Sequence, residues 1–492
     1  MNDNKSIRIN AVLNIIYTIS NILFPIITFP YVSRILLADG IGRVSFYSAI
    51  GDYAIMLASL GVTTYGIRET ARVRDSKREL SKTVTELLVI NTLSSLIVVV
   101  SLFLMTIYID RFQKDLWLLI LNCLSIVATP IGMNWLFSGL EQYSYITKRS
   151  ILFKFISLIF ILLFVKNSGD YIIYAAIITF SVVSSYIINF FYSMKFISFK
   201  SLPQLEFQKH FKPMLLLFAS VLAVNVYTNL DTVMLGFISG DRDVGLYTVA
   251  VKVKWLLLSV VNAISAVLLP RLSYYLNEKR VDEYNSILKK SILVIFFIST
   301  PLTLFFMVNA DNTIMILGGP SYSDAVLCMQ IIIPILLISG FSNITGNQIL
   351  IPFGKDSCFM KAVIVGATID VVFNIALMPR FGYIGAAIAT LIAEFAQMSV
   401  QLMYSKNIIS DIFPKKSVFK IFISAILGAV IIFLIKPFLT ISKFNYTINS
   451  FITIFISSFF YLVVYFTIIY LSKEEYFREL VKEISSVFKR NK

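Results

Sequence analysis

Long apolar runs of about 20 residues, separated by short polar stretches, fill the chain from one end to the other. A helix needs about 20 consecutive apolar residues to cross a hydrocarbon core of about 30 Å. Read by that rule, the sequence predicts spans near 10–33, 44–66, 85–109, 116–138, 150–166, 171–194, 213–238, 245–270, 290–310, 326–351, 359–378, 384–405, 418–438 and 447–471. The runs are continuous, whereas a transmembrane β-barrel shows alternation over segments of about ten residues. The fifth run is short, and Gly318-Gly319-Pro320 blurs the start of the tenth. The pattern therefore predicts an all-α polytopic membrane protein of about 14 transmembrane helices.

Composition agrees and narrows the class. The 492 residues are 57% hydrophobic and 14% charged, against about 45–50% and about 25% in soluble domains. The formal net charge is +15, from 43 Lys+Arg and 28 Asp+Glu. In a soluble protein that excess would suggest nucleic acid, but here the basic residues cluster between apolar runs, and no nucleic-acid partner is expected. With both termini placed in the cytoplasm, about 32 of the 43 basic residues fall on the inner side and about 9 on the outer. Two, Lys252 and Lys254, fall inside a span. Cys123, Cys328 and Cys358 form no CxxC and read as reduced packing residues. The lone His210 reads as a solvated loop residue. Met1–Asn10 is polar and the apolar run after it is full length, so no cleavable signal peptide is expected.

The two halves of the chain echo each other at an offset of a little over 200 residues. Ala38-Asp39-Gly40-Ile41-Gly42 before Arg43-Val44-Ser45-Phe46-Tyr47 faces Gly240-Asp241-Arg242-Asp243-Val244-Gly245 before Leu246-Tyr247. Further on, Tyr174-Ala175-Ala176-Ile177-Ile178-Thr179 faces Gly385-Ala386-Ala387-Ile388-Ala389-Thr390. Two parallel six-helix repeat lobes around a central cleft follow, at 1–195 and 213–405, joined by a cytoplasmic linker at 196–212. A C-terminal helix pair, 418–471, is appended. The tail 472–492 places Phe477, Leu480, Val481, Ile484 and Phe488 on one helical face and reads as an amphipathic cytoplasmic helix on the inner leaflet.

These residues carry a family resemblance. Phe24-Pro25-Ile26-Ile27-Thr28-Phe29-Pro30-Tyr31-Val32-Ser33-Arg34-Ile35-Leu36 resembles the opening of Wzx-type oligosaccharide flippases. So do Ala58-Ser59-Leu60-Gly61-Val62-Thr63-Thr64-Tyr65-Gly66-Ile67-Arg68-Glu69, Gly139-Leu140-Glu141-Gln142-Tyr143 and Pro352-Phe353-Gly354-Lys355. The run Pro379-Arg380-Phe381-Gly382-Tyr383-Ile384-Gly385-Ala386-Ala387 extends the match. The chain is thereby similar to the polysaccharide transporter family of the MOP superfamily. That resemblance implies a non-enzyme of the bacterial plasma membrane. It implies a flippase moving undecaprenyl-diphosphate-linked oligosaccharide repeat units to the outer leaflet by alternating access, for capsule or O-antigen assembly. Membrane lipids, a polysaccharide polymerase and other assembly proteins are the implied partners.

Such a substrate has a sugar head, a diphosphate and a prenyl tail, so its carrier needs a wet, basic path. Ionisable residues within spans are costly and normally face one. Lys252 and Lys254 lie two to three turns into the eighth span, and diphosphate contact, a structural ion pair and snorkelling are the open readings. Arg34 and Arg68 are further phosphate candidates, with interface anchoring and topology setting as their alternatives. Asp52, Trp135 and Tyr227 are candidates for glycan contact. Relatives resembling lipid II flippases bind sodium in the C-terminal lobe, and Asp231, Asp370, Asn374 and Thr390 would supply that set, with the Asp/Asn order on the eleventh span swapped. No bound cofactor or other metal is expected; Na+, H+ or the membrane potential is the expected driving force. Moving one charge across 100 mV is worth about 2.3 kcal/mol, so a dianion leaving an inside-negative cell is favoured by about twice that.

The rival readings are a MATE-like multidrug or cation antiporter, and a membrane-embedded polysaccharide polymerase or ligase. The first favours an acidic path for cations; the second needs a substantial outer loop or a buried histidine. An ATP-driven pump needs a P-loop, and the sequence contains no G-x-x-x-x-G-K-[ST].

Overall fold

The computed structural model describes residues 2–200, 204–439, 445–474 and 477, and these are helical with no strand among them. Helices α1 (Asn2–Ser59), α2 (Val62–Val73), α3 (Lys77–Tyr108), α4 (Asp110–Lys114), α5 (Leu116–Gly132), α6 (Asn134–Gly139), α7 (Tyr143–Phe164), α8 (Tyr171–Ser193) and α9 (Gln208–Ile238) come first. They are followed by α10 (Asp241–Asn277), α11 (Val281–Val308), α12 (Ala310–Leu317), α13 (Ala325–Ile332), α14 (Ile335–Asn343), α15 (Asp356–Ile412), α16 (Lys415–Ile435) and α17 (Tyr446–Leu471).

Among the described residues, ten helices are long and apolar enough to cross a membrane. Two of them are far longer than one crossing needs: at 1.5 Å per residue the 57 residues of α15 extend about 85 Å. Each is broken where it must turn. Leu37 (φ 58°, ψ −177°) interrupts α1 and Gly382 (φ 52°, ψ −131°) interrupts α15, so each long helix makes two crossings. Helix α7, with 22 residues, is long enough to cross but carries Lys148, Arg149 and Lys154, and the 31 residues of α9 include the uncharged apolar stretch 213–230. Counting both brings the series to the fourteen crossings expected. The fifth is not short: α7 begins at Tyr143, and Lys148 and Arg149 interrupt the apolar pattern over its first two turns.

The chain divides into two compact units, Met1–Gly245 and Leu246–Lys492. In the first, α5 packs on α8, and α1 lies against α5, α7 and α9. Ser76 is the N-cap of α3: its Oγ accepts the Glu79 N–H at 3.4 Å, ahead of the apolar run. Below it Tyr65, Leu80, Val84, Leu87, Trp135, Leu136, Phe137 and Met214 form a buried cluster. The two echo segments of the sequence also meet within this unit. A Cβ on Gly42 would lie 1.7 Å from the Asp241 carbonyl oxygen, and one on Gly245 would lie 1.9 Å from that of Ala38. Only glycine permits backbones this close.

In the second unit α16 packs on α11 and α17. Tyr465 OH donates to Phe297 O at 3.0 Å and ties the appended pair to its host, while Tyr461 OH donates to Ala425 O at 3.2 Å and joins the pair's own two helices. Lys436 Nζ donates to Val308 O at 2.8 Å and also reaches Asp311. The tenth crossing is irregular. It passes through α13 and α14 into a π-helical turn at Ile344–Leu350, with Gln348 bonded to Ser291 and Ser265. Most of the predicted amphipathic tail, residues 475–476 and 478–492, lies outside the described residues.

Candidate functional site

In the first unit, Asp52 of α1 opens on a cavity of about 150 Å³ lined also by Tyr47, Ser48, Asn122, Ser125 and Thr179. Its carboxylate accepts from Asn229 Nδ2 at 3.4 Å, which links the second crossing to α9. Arg34 is half-buried, and its Nη1 donates to the Pro30 carbonyl at 2.6 Å. Arg68 is exposed, 3.4 Å from Glu69 and with its guanidinium 5.2 Å above the Tyr65 ring. Trp135 is buried: its indole lies flat on Gly66, where a Cβ would stand 2.6 Å from the ring, so this side chain is core. The Tyr227 side chain lies outside the described residues. Asp231 of α9 is buried.

The other predicted residues belong to the second unit. Lys254 is buried on α10 with its ammonium 5.4 Å from the Trp255 ring centre; Lys252 is half-buried on the same helix. Asp370 and Asn374, one turn apart on α15, are fully buried. Thr390 Oγ1 donates to Ala386 O at 2.8 Å and meets Tyr247 OH at 3.0 Å.

Three groups absent from the sequence reading stand out. His210 is buried, contrary to the solvated loop residue expected. Its Nδ1 lies 2.8 Å from Tyr65 OH and its Nε2 2.7 Å from Glu86 Oε2. Glu86 itself is fully buried, accepts the Glu206 N–H at 2.6 Å and pairs with Lys209 at 3.1 Å. Second, Arg43 and Arg111 converge on Asp241, with Asp115 3.5 Å from Arg43. Third, α7 carries Arg149 and Lys154, so the basic residues inside crossings exceed the two counted from sequence. Lys154 lay within the predicted fifth run and was visible there. Arg149 was not, because that run was started one residue too late.

The class is now defined: an all-helical, multi-pass membrane protein whose apolar crossings carry ionisable side chains. The sequence family described as polysaccharide biosynthesis protein matches residues 7–276, more than half of the chain, and the chain belongs to that family. The MatE family matches residues 217–376. A protein of Escherichia coli (strain K12) named as an O-antigen transporter is 27% identical over 414 residues, 83% of this chain and 99% of that protein. A Haloferax volcanii protein named as the flippase AglR is 26% identical over 220 residues, 44% of this chain and 46% of its own length. Among solved structures, the lipid II flippase MurJ in an inward closed conformation superposes with a TM-score of 0.74 at 16% identity, covering 96% of this chain and 100% of that one. The fold is therefore MurJ-like.

Proposed function

We propose that this protein is a flippase for lipid-linked oligosaccharide, carrying polyprenyl-diphosphate-linked repeat units from the inner to the outer leaflet of a bacterial plasma membrane by alternating access. The observation that carries the reading is the near-complete overlap with the O-antigen transporter of Escherichia coli, 99% of whose length aligns. The chemistry of the crossings supports it. Buried Lys254 and half-buried Lys252 suit an anionic headgroup, and a carrier of organic cations would be poorly served by them. Both termini are cytoplasmic in this reading, on the strength of the Lys/Arg distribution.

Cation coupling belongs to the same proposal. Asp370, Asn374 and Thr390 of the second unit supply the carboxylate, amide and hydroxyl oxygens that a hard cation takes, and Asp231 of the first unit is a separate buried carboxylate. The bound ion would supply positive charge that holds the Asp370 carboxylate ionised.

The test is made in cells. In a strain deprived of the protein, lipid-linked glycan accumulates and surface polysaccharide is lost. Wild type restores the surface glycan and Lys252→Ala/Lys254→Ala restores far less. Normal surface glycan in the deprived strain would overturn the reading.

A further inference from the structure

Helix α7 holds two cations inside the membrane-spanning part of the first unit, and among the described residues the side chains that accept from them are neutral. Lys154 is the twelfth of the 22 residues of α7, counted from Tyr143, and so stands about 16 Å along the helix. That is half the thickness of a core of about 30 Å. Its Nζ donates to Ser20 Oγ at 3.0 Å and to Asn21 Oδ1, and lies 5.7 Å from the Tyr17 ring centre. Arg149 is 8% exposed. Its Nη1 donates to Asn189 Oδ1 and its Nη2 to Asn134 Oδ1 at 3.0 Å, and its guanidinium is 5.6 Å from the Tyr145 ring centre. Its buried Nε has no acceptor.

Among the described residues no carboxylate lies within ion-pair distance of either cation. Amide and hydroxyl oxygens satisfy N–H donors but do not cancel charge, and two uncancelled charges in an apolar helix are costly. Interhelical packing alone would be served as well by neutral polar side chains. The fixed amides of Asn134 and Asn189 instead hold Arg149 extended with one N–H unused, and Ser20 and Asn21 hold Lys154 toward α1.

We propose that Arg149 and Lys154, with Tyr17, Asn21 and Tyr145, form an anion site on α7 and α1 that takes the phosphate oxygens of a polyprenyl diphosphate. The proposal rests on the flippase reading for the source of the ligand. The chemistry is that of a group with about two negative charges and several acceptor oxygens, matched by two cations and an unused N–H. An anionic phospholipid headgroup shares part of that chemistry but carries a single charge.

The test uses the full chain in phosphatidylcholine nanodiscs with a labelled polyprenyl diphosphate lacking the glycan as probe. A charge-assisted hydrogen bond is worth enough that Lys154→Gln and Arg149→Gln each weaken probe binding about ten- to a hundredfold. Lys154→Arg recovers most of the affinity, and polyprenol without phosphate is insensitive to all three variants. Without ligand, Lys154→Gln melts no lower than wild type, because the substitution relieves an uncancelled charge. Unchanged probe binding in Lys154→Gln and Arg149→Gln would overturn the site. So would a lowered melting temperature without ligand, which marks a structural role, or competition by phosphatidylglycerol equal to that of the probe, which marks a general headgroup site. Glycan translocation separates this from the reading beneath it. Wild type that binds the probe through Lys154 but moves no glycan leaves the site standing and removes the flippase function. Lys154→Gln that moves glycan as well as wild type does the reverse.

Discussion

His210, Glu86 and Tyr65 show how much a single side chain can depend on distant sequence. In the chain His210 stands among Gln208, Lys209 and Phe211, a setting that reads as solvated. Its burial is decided by Glu86, 124 residues away, and by Tyr65, 145 residues away. No local pattern records such a pairing. Removing one partner of a buried charged pair typically costs about 3–5 kcal/mol. Glu86→Ala is therefore expected to destabilise the protein by that order, read from reversible unfolding in detergent, and Glu86→Gln by less because the amide oxygen still accepts. Arg149 likewise takes its partners from afar, Asn134 and Asn189 lying 15 and 40 residues from it. Asp170 illustrates a local effect outside the crossings. The N–H groups of Lys166 and Asn167, each at 2.8 Å, hold its carboxyl below the usual carboxylate range. A depressed pKa stabilises the fold above the unfolded-state value of 3.8, and that contribution is lost as pH falls through the folded-state value. Asp170→Asn should therefore flatten the acid limb of the melting temperature as pH falls below the ordinary carboxylate range.

Elements were legible wherever hydrophobicity alone sets them. Apolar runs located the crossings because lipid imposes a minimum length and internal satisfaction of backbone hydrogen bonds. The breaks were less legible. Gly382 is a residue expected at positive φ, but Leu37 occupies a backbone region that is nearly glycine-only. Leu37→Gly is expected to raise stability by up to about 1 kcal/mol, and Leu37→Val to lower it, in the same unfolding measurement. The echo around Gly42 and Gly245 was visible as a repeat, yet not as a contact. Its two copies pack backbone to backbone, so a side chain on either glycine must push helices apart. Gly42→Ala should cost about 1–3 kcal/mol, the range for overpacking a tight contact, and Gly42→Leu more.

For the whole molecule, composition located the protein in lipid and the few intramembrane charges mark where transport chemistry is to be sought. In the first unit the cations of α7 and the buried acid of α9, and in the second the lysines of α10 and the buried acid of α15, are the groups to test for transport. If Asp370 holds a coupling cation, Asp370→Asn makes glycan flux independent of a sodium or proton gradient while leaving its dependence on membrane potential. The most direct test of the central claim is a paired flux measurement in proteoliposomes loaded with labelled lipid-linked glycan and, separately, with a lipophilic organic cation. The account predicts inner-to-outer movement of the glycan, faster when the side it leaves is negative, and no protein-dependent movement of the cation. Transport of the cation without the glycan would contradict it.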